Sequence, residues 1–268
     1  MRLRKTGLQP QSNGAGMRTV DLNCDFGESY GAYTFGQDEA LLKHVTSVSI
    51  ACGFHAGDPH TMREAVERAM AAGVSIGAHP GLPDRLGFGR REMAISAEEA
   101  CDYTLYQVGA LQAFVRAAGG KLRHVKPHGA LYHMAGHDEA IAAAVVRAVK
   151  SLDPALFIYS QSGSLLLEEA RRQGMRAIAE VFADRTYLPS GALTPRHLPK
   201  AVLTEPEEAL GQALDMIIRG KARTAEGSEA AVLAETVCLH GDGPNALHLA
   251  ASLRQGLQEA GIRLQHPQ

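Results

Sequence analysis

Four histidines, His55, His79, His128 and His240, stand where an apolar, strand-like run gives way to a glycine-rich loop. Imidazole titrates near neutral pH and binds divalent metals, so a histidine so placed is a candidate base or ligand. Asp25, Lys126 and Glu180 lie in or at the ends of other apolar runs, and Asp58 and Asp242 follow closely after His55 and His240. Carboxylates, an ammonium and imidazoles gathered in one place can move protons, stabilise an oxyanion or hold a divalent cation. No H-E-x-x-H or C-x-x-C spacing occurs, so the pattern selects no particular metal. Asp58 has a competing use, because it precedes Pro59 at the start of an amphipathic stretch and would cap a helix there.

The runs that carry these residues alternate. In a strand, successive side chains point to opposite faces. Leu22 and Cys24 oppose Asp21, Asn23 and Asp25; Val48, Ile50, Cys52 and Phe54 oppose Ser47, Ser49, Ala51, Gly53 and His55. Ile76 and Ala78 oppose Ser75, Gly77 and His79, and Val125 and Pro127 oppose His124, Lys126 and His128. Glu180 sits between Ala179 and Val181, and Cys238 and His240 oppose Val237 and Leu239. Parallel strands buried on both faces normally read as continuous apolar runs. Here the apolar set must face a layer of helices, which leaves a polar interior. The bland alternative is a structural network of buried ions; the functional one is an active site at the C-terminal strand ends.

Strands are expected over 20–25, 47–54, 74–79, 122–128, 155–160, 176–182 and 235–240, with a short eighth at Val202-Leu203. Helical periodicity separates them: Met62, Ala65, Val66 and Ala69 follow Pro59, and Ser96 with Glu99 forms a capping-box signature. Alternating strands and helices imply an α/β fold, a (β/α) barrel of seven or eight parallel strands in one domain over 17–268. An open doubly wound sheet is the runner-up, but no G-x-G-x-x-G or Walker loop supports it. Residues 1–16 have no apolar periodicity and read as a disordered extension, with Met1 or Met17 as the start.

Bulk properties narrow the classes. The 268 residues carry a formal net charge of −2 and are 45% hydrophobic and 21% charged, giving no electrostatic reason to expect nucleic acid or an anionic membrane. No apolar run is long enough to span a bilayer. Cys24, Cys52, Cys101 and Cys238 form no C-x-x-C pair and read as free thiols in a reducing, cytoplasmic setting. The Pro-rich stretch 183–199 reads as a lid bringing Asp184, Arg185 and Tyr187 to the strand ends. Gly241 and Gly243, before a helix start, offer backbone N–H groups to a phosphate.

Taken in order, NCDFGE, ACGFHAGDP, GAHPGLPDRLGFGRR, YQVGAL, VKPHGALY, EVFADR and HGDGP resemble the LamB/YcsF family from about Val20 to Arg263. The resemblance implies a barrel related to the glycoside hydrolase/deacetylase superfamily. It implies hydrolytic opening of 5-oxo-L-proline to L-glutamate, with ATP as cosubstrate and two partner subunits, B and C, of a 5-oxoprolinase. Asp25, Lys126, His128 and Glu180 are then the expected catalytic groups. Lys126 would hold phosphate or oxyanion, and Asp25 or His128 would activate water. Asn23, His55, Asp58, His79, Arg185, His240 and Asp242 are the expected substrate contacts, and Gly241 and Gly243 the phosphate contacts. Ser49 and His133 replace asparagines expected from the family pattern. Two other readings stay open: a metal-dependent deacetylase or glycosidase, disfavoured by the absence of Trp and only 5% aromatic residues, and a non-catalytic component that binds a small ligand.

Overall fold

The computed structural model describes residues 17–35, 38–239 and 245–268. In chain order the strands are β1 (Thr19–Phe26), β2 (Ser47–Ala51), β3 (Ser75–His79), β4 (Leu122–Val125), β5 (Phe157–Gln161), β6 (Arg176–Phe182), β7 (Lys221–Arg223), β8 (Glu229–Ala231), β9 (Thr236–Leu239) and β10 (Arg263–Leu264). The helices are α1 (Asp38–Leu41), α2 (Pro59–Ala72), α3 (Ala97–Ala117), α4 (Gly129–His137), α5 (Glu139–Leu152), α6 (Leu165–Arg172), α7 (Pro206–Arg219) and α8 (Ala246–Glu259).

Strands β1 to β6 pair in order, all parallel; β9 pairs with β6 and then with β1. The register Leu22↔Val237 on one side and Cys24↔Val48 on the other closes a barrel of seven strands. Val202 is not an eighth. It makes a lone antiparallel bridge with Arg185, too short and wrongly directed to enter the parallel ladder. The segment between β6 and β9 instead carries α7 and the antiparallel β7–β8 hairpin. Outside the barrel, β10 adds to the start of β1.

Strand alternation decides which way each side chain faces. Leu22, Val48, Ile50, Ile76, Val125, Ile158, Val181, Val237 and Leu239 are fully buried in one apolar core with the inner faces of the helices. Helix starts fix where the strands must end. Asp58 accepts from the His60 and Thr61 N–H groups, and Pro59 occupies the first turn of α2. Ser96 and Glu99 form the expected capping box on α3.

The lumen is polar and closely bonded. At its base the Asp21 carboxylate accepts hydroxyl hydrogens from Thr46, Ser47, Tyr159 and Thr236, all within 3.0 Å. Burial pushes this carboxyl up, and the hydroxyls oppose the shift. Above it, the His124 ring stacks on Tyr159 at 4.0 Å, and its Nε2 lies 3.0 Å from Ser49 Oγ. Gly77 makes this possible: a Cβ there would stand 2.1 Å from His124 Nε2.

Gly77→Ala should therefore destabilise the barrel by about 1–3 kcal/mol or more through overpacking. Gly211→Ala, on α7 with open space around it, should be neutral or slightly stabilising. Denaturant titration of both variants checks this. Burial also pulls His124 down to about 3, with Lys126 adding to the shift. Its neutral form is favoured by the fold, so stability is complete above the ordinary value near 6.5 and falls as pH drops towards 3. His124→Asn should flatten that fall by up to about 1.4 kcal/mol per pH unit, read from denaturation at stepped pH; an unchanged slope would contradict it.

Candidate active site

A cavity of about 590 Å³ opens over the late residues of the barrel strands. Asp25, His79, Lys126, His128, Tyr132 and Glu180 line its inner part, and Arg90, His133, Arg185, Arg196 and His197 bring cationic or ionisable groups to the rest.

Lys126 follows β4 and points inward with the parity of His124. Its Nζ lies 2.7 Å from Asp25 Oδ1, 3.0 Å from Asn23 Oδ1, 3.1 Å from Glu180 Oε1 and 3.2 Å from Cys238 Sγ. These partners come from β1, β6 and β9, so closure of the barrel is what brings them together. Burial alone would neutralise the ammonium, but the carboxylates of Asp25 and Glu180 outweigh it and raise Lys126 well above its ordinary value. Burial raises the Cys238 thiol, so it stays protonated. Glu180 is completely covered: Asn23 Nδ2 (3.0 Å) and Lys126 bond Oε1, and Tyr132 Oη (2.8 Å) bonds Oε2. Asp25 keeps 13% of its side chain exposed and is the carboxylate turned to the cavity.

The histidines form a second group beside it. His79 Nδ1 donates to the Lys126 carbonyl at 2.7 Å, and His128 Nε2 donates to the Phe88 carbonyl at 2.7 Å. His79 Nε2 and His128 Nδ1 then face each other at 2.9 Å, with Asp25 Oδ1 3.3 Å from His79 Nε2. His55 stacks flat on His128, ring centres 3.7 Å apart, and its Nε2 is 3.5 Å from Glu28 Oε1. Burial holds His55 and His128 well below the ordinary imidazole value.

The loop between β3 and α3 locks these rings. Asp84 accepts from Gly87 N–H and from the Arg91 guanidinium, which holds its carboxyl down to about 2. Gln107 of α3 bonds both backbone groups of Gly81. The fold so made places Phe88 at φ 55 and Gly89 at φ 64, with the Phe88 ring against His55 and His128. A Cβ on Gly89 would meet His55 at 2.7 Å and His128 at 2.9 Å, so glycine is needed for both its backbone and its size.

Of the residues expected at the site, Asp25, His79, Lys126, His128, Glu180 and Arg185 line the cavity. Asn23 lies beneath its floor, bonded to Lys126, Glu180 and Thr236. His55 lies behind His128. Asp58, expected at the substrate, is instead a helix cap: its oxygens accept from His60, Thr61 and the Gly31 N–H, away from the cavity lining. His240, Gly241, Asp242 and Gly243 lie outside the described residues, as does the 1–16 extension. The base of the stretch 183–199 is fixed: Arg185 donates to the Thr194 and Ala201 carbonyls, and Tyr187 Oη accepts from Phe182 N–H. Residues 193–197, His197 among them, line the cavity.

Sequence reasoning missed Glu28 and Tyr132. Both lie inside motifs already singled out, and Tyr132 stands one helical turn after His128, so α4 aims both at the lumen. It also missed Cys238 as a lysine partner, although its parity with the lumen set pointed there.

A closed seven-stranded parallel barrel with ionisable side chains converging at its C-terminal end has the layout of a barrel enzyme. Residues 20–268 match the LamB/YcsF family, and the chain belongs to it. It is 55% identical over 251 residues to the A subunit of 5-oxoprolinase from Geobacillus kaustophilus strain HTA426, covering 94% of this chain and 98% of that one. It is 52% identical over 246 residues to the A subunit of 5-oxoprolinase from Bordetella pertussis strain Tohama I, covering 92% and 98%. The crystal structure of a lactam utilization protein from Thermus thermophilus superposes with a TM-score of 0.88 at 49% identity, over 92% of this chain and 99% of that one.

Removing the Lys126 ammonium leaves Asp25 and Glu180 facing each other without their shared cation. Lys126→Ala should cost about 3–5 kcal/mol of stability, as for a broken buried pair, measured by chemical denaturation. A loss below about 1 kcal/mol would mean that the cluster is not held as an ion network.

Proposed function

We propose that this chain is the ring-opening component of an ATP-dependent 5-oxoprolinase, converting a phosphorylated form of 5-oxo-L-proline to L-glutamate. One observation carries the reading: a partly open carboxylate, Asp25, is paired to a buried lysine in a cavity that Arg90, Arg185 and Arg196 also line. The names of relatives at 50–55% identity over nearly the whole chain support the reaction. Those relatives are named as one component of a larger enzyme, which supports an assembly, and partners B and C are proposed for it.

A lactam carbonyl is a poor electrophile, and phosphorylating its oxygen makes the carbon attackable. The chain offers no Walker loop, so the phosphoryl transfer from ATP is assigned to the partners. Two waters balance the remaining reaction. One adds to the activated carbon and ends in the new carboxylate, while the ring nitrogen takes a proton and leaves as the amine. The second releases the phosphoryl group as inorganic phosphate.

Asp25 is the base for the attacking water, because it reaches the cavity whereas Glu180 is covered and has its oxygens engaged. Lys126 has three N–H donors and four neighbours already. It is therefore the shared bonding partner of Asp25 and Glu180 and is not free to hold the phosphate. Arg185, Arg90 and Arg196 take the phosphate; besides Asp25 and Glu180, Glu92 is the other carboxylate in the lining. Asp25, once it has taken the proton of the attacking water, returns it to the leaving nitrogen. The four free thiols are compatible with a cytoplasmic setting, and among the described residues no helix is long and apolar enough to cross a membrane.

The test is glutamate formation from 5-oxoproline and ATP by this chain with its partners, each omitted in turn. Glutamate should form only with the full set, and this chain alone should hydrolyse no ATP. Arg196→Met, an exposed change, should raise KM by about 10-fold, the worth of one charge-assisted contact, with kcat little altered. Robust turnover by the single chain, or an unchanged KM, would contradict the assignment.

A further inference from the structure

We propose that Glu28, His55, His79 and His128 form a binding site for one divalent first-row transition-metal ion, of the zinc or cobalt kind. The inference rests on the side chains themselves and does not depend on the reaction assigned above.

The first observation is a conflict between two rings. The Lys126 and Phe88 carbonyls can only accept, so the hydrogen on His79 is at Nδ1 and that on His128 is at Nε2. The nitrogens left over, His79 Nε2 and His128 Nδ1, are both acceptors in the neutral rings, yet they face each other at 2.9 Å. Two lone pairs directed at each other repel. A positive centre between or beside them removes the conflict, and a metal ion does so while using both lone pairs.

The second observation is independent. Among the described residues neither ring nitrogen of His55 finds a hydrogen-bond partner, although the side chain is completely buried. A buried polar group without a hydrogen bond costs about 1–3 kcal/mol. Its Nε2 is 3.5 Å from Glu28 Oε1, which is itself 3.7 Å from His128 Nδ1. One ligand atom from each of the four residues lies within 4.8 Å of all the others. The span is wider than the ligand shell of a bound ion, so closing on one needs only small side-chain shifts.

A third feature is the support behind the ligands. Histidines that bind metals usually donate their other N–H to a carbonyl or carboxylate, which fixes the ring and the tautomer. His79 and His128 both do this through backbone carbonyls. The loop that supplies the Phe88 carbonyl also packs Phe88 and Gly89 against the rings, so the tautomers are set by the fold. Three imidazoles and one carboxylate suit zinc, cobalt or iron, whereas magnesium and calcium prefer an all-oxygen shell. An ion bound here would lie beside Asp25 at the cavity and would supply Lewis-acid polarisation or a more acidic bound water.

The experiment uses the full chain, stripped with a chelator, dialysed and titrated with Co²⁺ while visible absorption is read. Zn²⁺ competition and metal content after gel filtration are measured alongside. One Co²⁺ per chain should bind with visible ligand-field bands, Zn²⁺ should displace it, and either ion should raise the Tm. Glu28→Gln and His55→Ala should each weaken binding by at least the ~10–100-fold that loss of a supporting partner alone costs. Asp58→Asn should bind as the wild type does. Glu28→Gln preserves shape and decides the matter should His55→Ala fail to fold. The proposal is overturned if folded wild-type protein binds neither ion, leaving a shared proton to reconcile the two rings. It is equally overturned if a folded Glu28→Gln protein binds as tightly as the wild type.

Discussion

The ammonium of Lys126 is the charge around which the barrel interior is arranged. An isolated ion in that position would be excluded by desolvation, which costs several kcal/mol even after relaxation. It persists because Asp25, Asn23, Glu180 and Cys238 surround it, and each of these must come from a different strand position to do so. Glu180 in turn needs Asn23 and Tyr132, and Asn23 needs Thr236. The closing register of β1 against β9 sets all of these distances at once. Fold and site are in this sense one constraint: an open sheet of the same strands would leave Lys126 without half of its partners.

The cluster divides the labour between two carboxylates. Glu180 is sealed and saturated, which suits a counter-ion. Asp25 shares the same lysine but keeps an edge in the cavity, which suits a base whose charge is held ready. Beside them the histidine group draws on a separate support, the β3–α3 loop, whose Asp84–Arg91 clasp and Gln107 anchor lie well outside the cavity. Arg185 and Arg196 of the cationic lining come from a third source, the stretch after β6, pinned by Arg185 and Tyr187. Three supports meet at one cavity: the barrel strands themselves and two loop stretches outside them.

Much of this was legible in the alternation of the strands. The opposed faces of residues 21–25, 75–79, 124–128 and 236–239 put Asp25, His79, Lys126 and Cys238 in one interior, and that pattern requires closure. Partner identity was not legible. Lys126 and Asn23 are 103 positions apart, and which residues meet is set by stagger around the barrel, which periodicity does not encode. Val202-Leu203 resembled a strand because two apolar residues satisfy the pattern locally, while the ladder had no parallel neighbour to offer it. Glu28 escaped because it lies two residues past the end of β1, in a loop where period-two reasoning has stopped. Asp58 was ambiguous between cap and ligand, and the Pro59 beside it was the better guide.

The central claim is that Asp25 is the base that opens the ring. The decisive measurement follows 5-oxoproline consumption, ATP hydrolysis and glutamate formation together in the reconstituted complex carrying Asp25→Asn. The variant keeps the side-chain volume, and its folding is monitored by thermal unfolding. Glutamate formation should fall by about 10²–10⁴-fold, the worth of a positioned general base, while the partners still phosphorylate the lactam. Glutamate formed at the wild-type rate by the folded variant would contradict this role and move the chemistry to another group.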